Sequence, residues 1–171
     1  MMAYLNAPWR EAYVRNVFRM KGCIFCQALR LGDDQKALIL YRGQHNFIIL
    51  NKYPYTPGHL MIAPFRHLAQ LESAAPESVS EMMSLLQMSL RLLRRRYHPH
   101  GFNLGMNLGQ CAGAGVATHY HLHVIPRWSG DANFMPLVAK TKVVIEDLTT
   151  TYDRLSQLFQ KEAGEKNKKN K

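Results

Sequence analysis

Three histidines alternate with other side chains in one short segment of the sequence. His119, His121 and His123 are separated by the single residues Tyr120 and Leu122. Successive side chains of a β-strand point to opposite faces, so this spacing places the three imidazoles on one face. Each imidazole has two nitrogens that need partners, which makes three of them costly as core filling. The pattern predicts a chemical site, either for an anionic substrate or for a zinc ion held by three histidines.

A glycine-rich loop precedes the histidines. It runs from Gly109 to Gly115 and includes Gly113 and Ala114. Exposed main-chain amides in such a loop can hold a phosphate close to the imidazoles. This combination favours the anionic-substrate interpretation.

A second candidate site is the pair Cys23 and Cys26. Two thiolates at this spacing form either a redox pair or half of a tetrahedral zinc site, which needs two more ligands from elsewhere. The segment that follows lacks the βαβ pattern of thioredoxin-like redox sites. Cys111 has no neighbouring cysteine and is interpreted as an unpaired loop residue.

Short apolar runs bounded by turn residues predict the strands that position these side chains. The predicted strands are 36–41, 46–50, 60–63, 102–108, 119–125 and 142–145. The first three are typical of an antiparallel meander. Strands of this kind, with helices segregated from them, indicate an α+β architecture.

Helical periodicity predicts three helices, at 8–22, 76–97 and 148–159. The long central helix has one apolar face and an arginine-rich face, which is interpreted as solvated. The predicted apolar face consists of Val79, Met82, Met83, Leu86, Leu90, Leu93 and Tyr97. We expect one domain at 1–160 and a basic, disordered tail at 161–171.

The charge balance indicates an anionic partner. The chain of 171 residues has 22 Lys and Arg against 12 Asp and Glu, a formal net charge of +10. Five of the lysines lie in the tail, which is interpreted as solubilising, so nucleic acid is not predicted as a partner. No run approaches the roughly 20 apolar residues of a membrane span, and the N-terminal segment lacks a secretory signal's apolar core. We therefore expect a cytoplasmic protein without a membrane partner.

The sequence HYHLHVI at 119–125 resembles the signature of the histidine triad family. Three further segments, 23–26, 57–64 and 107–115, are similar to landmarks of that family in the same order. Segment 126–134 is similar to the branch that contains bacterial dinucleoside polyphosphate phosphorylases and hydrolases. The resemblance implies a five-stranded antiparallel sheet with a long helix and flanking helices, extended across a dimer.

The resemblance also implies roles for the site residues. In this family the middle histidine, here His121, attacks the α-phosphorus of a bound purine nucleotide, and an acceptor then discharges the nucleotidylated enzyme. His123 contacts the phosphate oxygens or the leaving oxygen, and His59 supports the triad by hydrogen bonding. The residues implied to hold the ribose and the phosphate are Asn51, Asn107, Gly113, Ala114 and Gly115. Many relatives have Gln at the position of Gly115, where this chain departs from the pattern.

Relatives that carry the cysteine pair use it in a structural zinc site. By position the four ligands here are Cys23, Cys26, His67 and His119. The resemblance thus implies that His119 belongs to the triad and is also a metal ligand. Structural zinc is preferred over two free thiols.

The leading functional hypothesis is an enzyme that cleaves dinucleoside polyphosphates, such as diadenosine tetraphosphate, by phosphorolysis or hydrolysis. Inorganic phosphate is then one acceptor, and the assembly is a homodimer or a dimer of dimers. One alternative is a nucleoside phosphoramidase, in which an amine leaves. Another is a nucleotide-binding regulatory protein with little turnover, against which the intact nucleophile His121 argues.

Overall fold

The computed structural model describes residues 22–131 and 146–169, with side chains up to residue 165 in the last segment. The predicted N-terminal helix at 8–22 and the predicted strand at 142–145 lie outside the described residues, apart from Gly22.

Five strands form one antiparallel sheet in the described part of the chain. They are β1 (Ile39–Arg42), β2 (Asn46–Leu50), β3 (Leu60–Pro64), β4 (Gly101–Gly105) and β5 (Leu122–Arg127). Their order in the sheet is β1-β2-β3-β5-β4, and every pair is antiparallel. His123 on β5 therefore lies between Met61 of β3 and Gly105 of β4. The α+β class and the five-stranded antiparallel sheet are confirmed.

Four α-helices accompany the sheet within the described residues. They are α1 (Ile24–Arg30), α2 (Asp34–Ala37), α3 (Pro76–Tyr97) and α4 (Leu148–Lys169). The bounds of α3 agree with the sequence because Pro76 occupies the first turn and His98 adopts a left-handed φ of 47° after the last turn. In these described segments no helix combines the length and apolarity that a membrane crossing requires.

Two predicted strands begin later than expected. The strand predicted at 36–41 starts at Ile39, because its first residues belong to α2. That helix is capped by Asp33, which accepts a hydrogen bond from the amide of Lys36 at 3.1 Å. The strand predicted at 119–125 starts at Leu122, so His119 and His121 precede the paired strand. There the backbone is held instead by the amide of Tyr120, which donates to Leu68 O at 2.7 Å.

The buried face of α3 is rotated relative to the predicted one. Met83 is 42% exposed, whereas Leu85, Ser89 and Leu92 are buried. Ser89 can occupy the core because its hydroxyl donates to Leu85 O at 2.8 Å within the helix. Apolar periodicity alone therefore misplaces the centre of the face.

The predicted disordered tail at 161–171 requires a correction. Helix α4 does not end at Phe159 but continues to Lys169. Glu162 in this extension lies 3.7 Å from Arg91 of α3, and its side chain is 19% exposed. Lysine, glutamate and alanine are good helix formers, so the extension can remain helical without a large apolar face.

The two faces of the sheet support different clusters. Tyr120, Leu122 and Val124 belong to the larger core, to which α3 and α4 also contribute. The opposite face carries a smaller cluster around Phe25 of α1, whose ring lies 5.1 Å from His119 and 4.8 Å from His121, centroid to centroid. The alternation predicted for the triad segment is confirmed, and its histidines lie on the α1 side.

Candidate active site and metal cluster

His121 is buried and held by a main-chain carbonyl. It is 5% exposed, and its Nδ1 lies 2.9 Å from His119 O. A carbonyl oxygen only accepts, so Nδ1 carries the proton and Nε2 keeps its lone pair. Burial lowers the pKa of His121 and outweighs the hydrogen bond to His119 O, which acts in the opposite direction. The ring is therefore a neutral imidazole with a nucleophilic nitrogen.

His123 lies beside His121, with a ring-centroid distance of 4.8 Å. Its Nδ1 is 3.0 Å from Nε2 of His59, which is almost fully buried at the N-terminal end of the β3 segment. The backbone amide of Tyr55 in turn donates to Nδ1 of His59 at 3.2 Å. His59 thus connects the turn before β3 to the triad.

Asn51 directly follows β2 and lies next to His59. The backbone amide of Asn51 donates to His59 O at 3.0 Å, and its side-chain Oδ1 accepts from Tyr53 N at 2.9 Å. The side-chain nitrogen of Asn51 lies 3.5 Å and 3.4 Å from Nδ1 and Nε2 of His59. The structure therefore brings Asn51, His59 and His123 into one group.

Hydrogen bonds to main-chain carbonyls hold the glycine-rich loop. Gly109 and Gly113 both have φ of 86°, which favours glycine. The amide of Ala114 donates to Gly109 O at 3.3 Å, and the side-chain nitrogen of Asn107 donates to Gly113 O at 3.4 Å. After Gly115, Val116 packs against the cluster that contains Phe25, on the face that carries the triad. The phosphate contacts expected of this loop stay a prediction.

Four sulfur and nitrogen donors converge on the α1 side of the sheet. One ligand atom from each of Cys23, Cys26, His67 and His119 lies within 4.8 Å of the other three. Nδ1 of His119 is 3.3 Å from Cys23 Sγ and 3.8 Å from Cys26 Sγ, and Nδ1 of His67 is 3.3 Å from Cys26 Sγ. The cluster joins the start of α1, the segment after β3 and the segment before β5.

The protonation of His119 suits a metal ligand. Its Nε2 is 2.9 Å from Pro64 O, so Nε2 carries the proton and Nδ1 directs a lone pair towards the thiols. Burial lowers the pKa of His119 to about 4, so the ring is neutral. Two cysteines and two histidines form a donor set that can hold a metal ion tetrahedrally.

The family model described as the HIT domain matches residues 33–130. The chain belongs to the HIT domain family. Its relatives include an AP-4-A phosphorylase from Mycobacterium tuberculosis, 42% identical over 119 residues, which are 70% of this chain and 61% of that protein. A 16.1 kDa HIT-like protein from Mycoplasma pneumoniae is 31% identical over 70% of this chain and 81% of its own length.

A solved structure is also similar to this chain. It is a zinc-bound histidine triad family protein from Mycobacterium smegmatis, with a TM-score of 0.66 and 26% identity. The alignment covers 84% of this chain and 96% of that one. The resemblance drawn from the triad is thus confirmed.

Sequence reasoning on this HIT domain missed two neighbours of the histidines. Phe25, between the two cysteines, packs against both His119 and His121. Tyr55 stacks on His59 with ring centroids 5.3 Å apart and planes 17° apart. The position of Phe25 between the two cysteines could have indicated its contact. Tyr55 belongs to no sequence motif, and its contact with His59 depends on the fold of the turn before β3.

Proposed function

We propose that this chain is an enzyme that cleaves dinucleoside polyphosphates, such as diadenosine tetraphosphate, through a covalent nucleotidyl intermediate on His121. The observation that carries the proposal is the bond from Nδ1–H of His121 to His119 O, which leaves Nε2 as a neutral nucleophile. The 42% identity to an AP-4-A phosphorylase supports the substrate class.

The proposed reaction has two displacements at the α-phosphorus. Nε2 of His121 forms a bond to phosphorus while the phosphorus–oxygen bond to the rest of the substrate breaks, and the electron pair stays on the leaving oxygen. With diadenosine tetraphosphate, ATP leaves and AMP remains on His121. Inorganic phosphate then takes the nucleotidyl group to give ADP, or water takes it to give AMP.

The surroundings of His121 fit the first displacement. The ring becomes cationic when Nε2 binds phosphorus, and His119 O, already hydrogen-bonded to Nδ1–H, stabilises that charge. His123 lies on one side at 4.8 Å, where it can contact a substrate oxygen. We propose that Asn51 binds the ribose and that Asn107 and the amides near Gly115 bind the nonbridging oxygens.

Phosphorus NMR of the products tests this function. The enzyme is incubated with diadenosine tetraphosphate, with and without inorganic phosphate. ATP with ADP indicates phosphorolysis, and ATP with AMP indicates hydrolysis. His98→Asn is the matched control for His121→Asn. His98 is exposed, and its left-handed φ of 47° suits asparagine. Turnover of a nucleoside phosphoramidate alone would contradict the proposal, as would nucleotide binding without turnover.

We also propose that the four-residue cluster holds a structural zinc ion. The zinc-bound relative and the two-cysteine, two-histidine donor set support this choice of metal. Gently purified protein is expected to contain about one zinc per chain, and chelation to lower the Tm by about 5 °C or more. Cys23→Ser should lower the Tm in the same way, whereas Cys111→Ser, at an exposed loop thiol, should leave it unchanged. Absence of zinc from such preparations would favour free thiols.

A further inference from the structure

The protons on His59 can be assigned from its neighbours. A backbone amide can only donate a hydrogen bond, and Tyr55 N donates to Nδ1 of His59 at 3.2 Å. Nδ1 is therefore the unprotonated nitrogen, and the proton of the neutral ring is on Nε2. The side-chain nitrogen of Asn51 lies 3.5 Å from Nδ1 and 3.4 Å from Nε2 of His59 and does not distinguish between them, so the assignment rests on the amide of Tyr55.

The proton position on His59 determines the tautomer of His123 in the triad. Nε2–H of His59 lies 3.0 Å from Nδ1 of His123, which must accept the hydrogen bond. His123 consequently carries its own proton on Nε2. His121 has the opposite tautomer, with its proton on Nδ1 facing His119 O. Two neighbouring histidines thus have opposite tautomers, one set by a backbone carbonyl and the other by a backbone amide.

We propose that Tyr55 is a positioning residue, whose backbone amide acts through His59 to hold His123 as a hydrogen-bond donor towards the substrate. The ring of Tyr55, stacked on His59 at 5.3 Å, keeps the His59 imidazole in the plane that this requires. The identity of the substrate rests on the proposed function. The tautomers do not depend on it.

The opposite tautomers suit opposite tasks. His121 needs a bare Nε2 to attack phosphorus. A donor at His123 stabilises the negative charge that grows on the leaving or nonbridging oxygens, whereas a lone pair there would repel it. His123 donates a hydrogen bond and transfers no proton, so its ring is neutral before and after the displacement.

Nitrogen-15 NMR of histidine side chains tests the tautomers directly in the resting full-length protein. About pH 8 is above the ordinary pKa of histidine, about 6.5, and the nitrogen shifts and long-range proton couplings distinguish protonated from unprotonated ring nitrogens. We expect Nε2–H for His59 and His123 and Nδ1–H for His121, with signals assigned from single His→Asn variants. An Nδ1–H tautomer at His123 would overturn the proposal. If the tautomers are as expected and the protein does not cleave dinucleotides, only the proposed function fails.

Removing the amide proton of Tyr55 tests the cause. In Tyr55→Pro the signals of His59 and His123 should become mixtures of both tautomers, while His121 keeps Nδ1–H. We expect kcat to fall about tenfold, with KM changed less than about twofold. The loss is smaller than the loss of about 10²-fold that follows complete removal of a transition-state donor, because part of the His123 population keeps the donor tautomer. Ala75→Pro is the matched control, since its φ of −64° already fits proline. Unchanged tautomers in folded Tyr55→Pro would refute the role of this amide. If that variant does not fold, the wild-type spectrum still determines whether His59 and His123 have the expected tautomers.

Discussion

His121 combines a nucleophilic nitrogen with a hydrogen bond that asparagine can imitate. In His121→Asn the side-chain NH₂ can still donate to His119 O, so we expect the fold and nucleotide binding to persist. A carboxamide cannot attack phosphorus, and turnover should fall by about 10³-fold or more. Steady-state kinetics and a nucleotide-binding measurement on the same preparation check this.

The covalent intermediate provides an independent check of His121. Wild-type protein without an acceptor should retain the nucleotide in a bond that is labile to acid and stable to alkali, as expected of a phosphoramidate, and His121→Asn should not. His123→Asn should lose less activity, because an amide NH₂ can replace the donor. Near-wild-type turnover in His121→Asn would favour a metal-assisted hydrolase instead.

The sequence was sufficient to place the three histidines on one face, because alternation of side chains follows from strand geometry alone. It could not supply the tautomers. These depend on His119 O and on the amide of Tyr55, groups that every residue type possesses. Residue identity therefore predicts which side chains meet, whereas main-chain geometry determines what each one can do.

Among the elements, α3 was predicted at both ends, because proline and the apolar period act locally. Its connection to the sheet was not predicted. Glu81 of α3 accepts hydrogen bonds from three successive amides, those of Gln44, His45 and Asn46, at 2.5–2.8 Å, and from the Asn46 side chain at 2.9 Å. These partners lie 35–37 residues away in the chain, beyond the reach of local patterns.

Glu81→Gln tests how much this contact stabilises the fold. Glutamine has one acceptor oxygen, and its NH₂ would face amide donors, so we expect a loss of about 2 kcal/mol in the free energy of unfolding. Chemical denaturation at pH 7 measures it. Glu72→Gln, at an exposed carboxylate in the Leu71–Ser73 turn, is the control and should change stability by less than about 0.5 kcal/mol.

The pH dependence of this contact has a defined sign. Burial raises the pKa of Glu81, but the amide and side-chain donors outweigh it, so the net pKa lies below its ordinary value. A carboxyl group whose pKa is lowered by folding stabilises the fold at a pH above its unfolded-state pKa. This stabilisation is lost as the pH falls through its folded-state pKa. The difference between wild type and Glu81→Gln should therefore shrink below about pH 4.5. A difference independent of pH would contradict an ionised carboxylate at this position.

At the scale of the whole molecule, β4 forms one edge of the sheet among the strands of residues 22–131 and 146–169, and Asn103, Leu104 and Gly105 on it are exposed. Leu104 is 46% exposed, and Leu108 just beyond the strand is 41% exposed. An open edge with apolar side chains favours pairing with another strand. We propose that two copies join through β4, which would form the dimer that the resemblance to the histidine triad family implies.

Leu104→Lys tests this assembly, because a charge on the paired edge would have to be buried or to repel its symmetry mate. Wild-type protein at micromolar concentration is expected to have the light-scattering mass of a dimer or of a dimer of dimers. Leu104→Lys should shift the mass towards the monomer, whereas Leu31→Lys, which replaces a leucine that is 54% exposed on the segment after α1, should not. A monomeric wild type would refute the dimer. Equal masses for all three proteins above the monomer would place the interface elsewhere, since a twofold contact through β4 puts Leu104 of both copies near its centre.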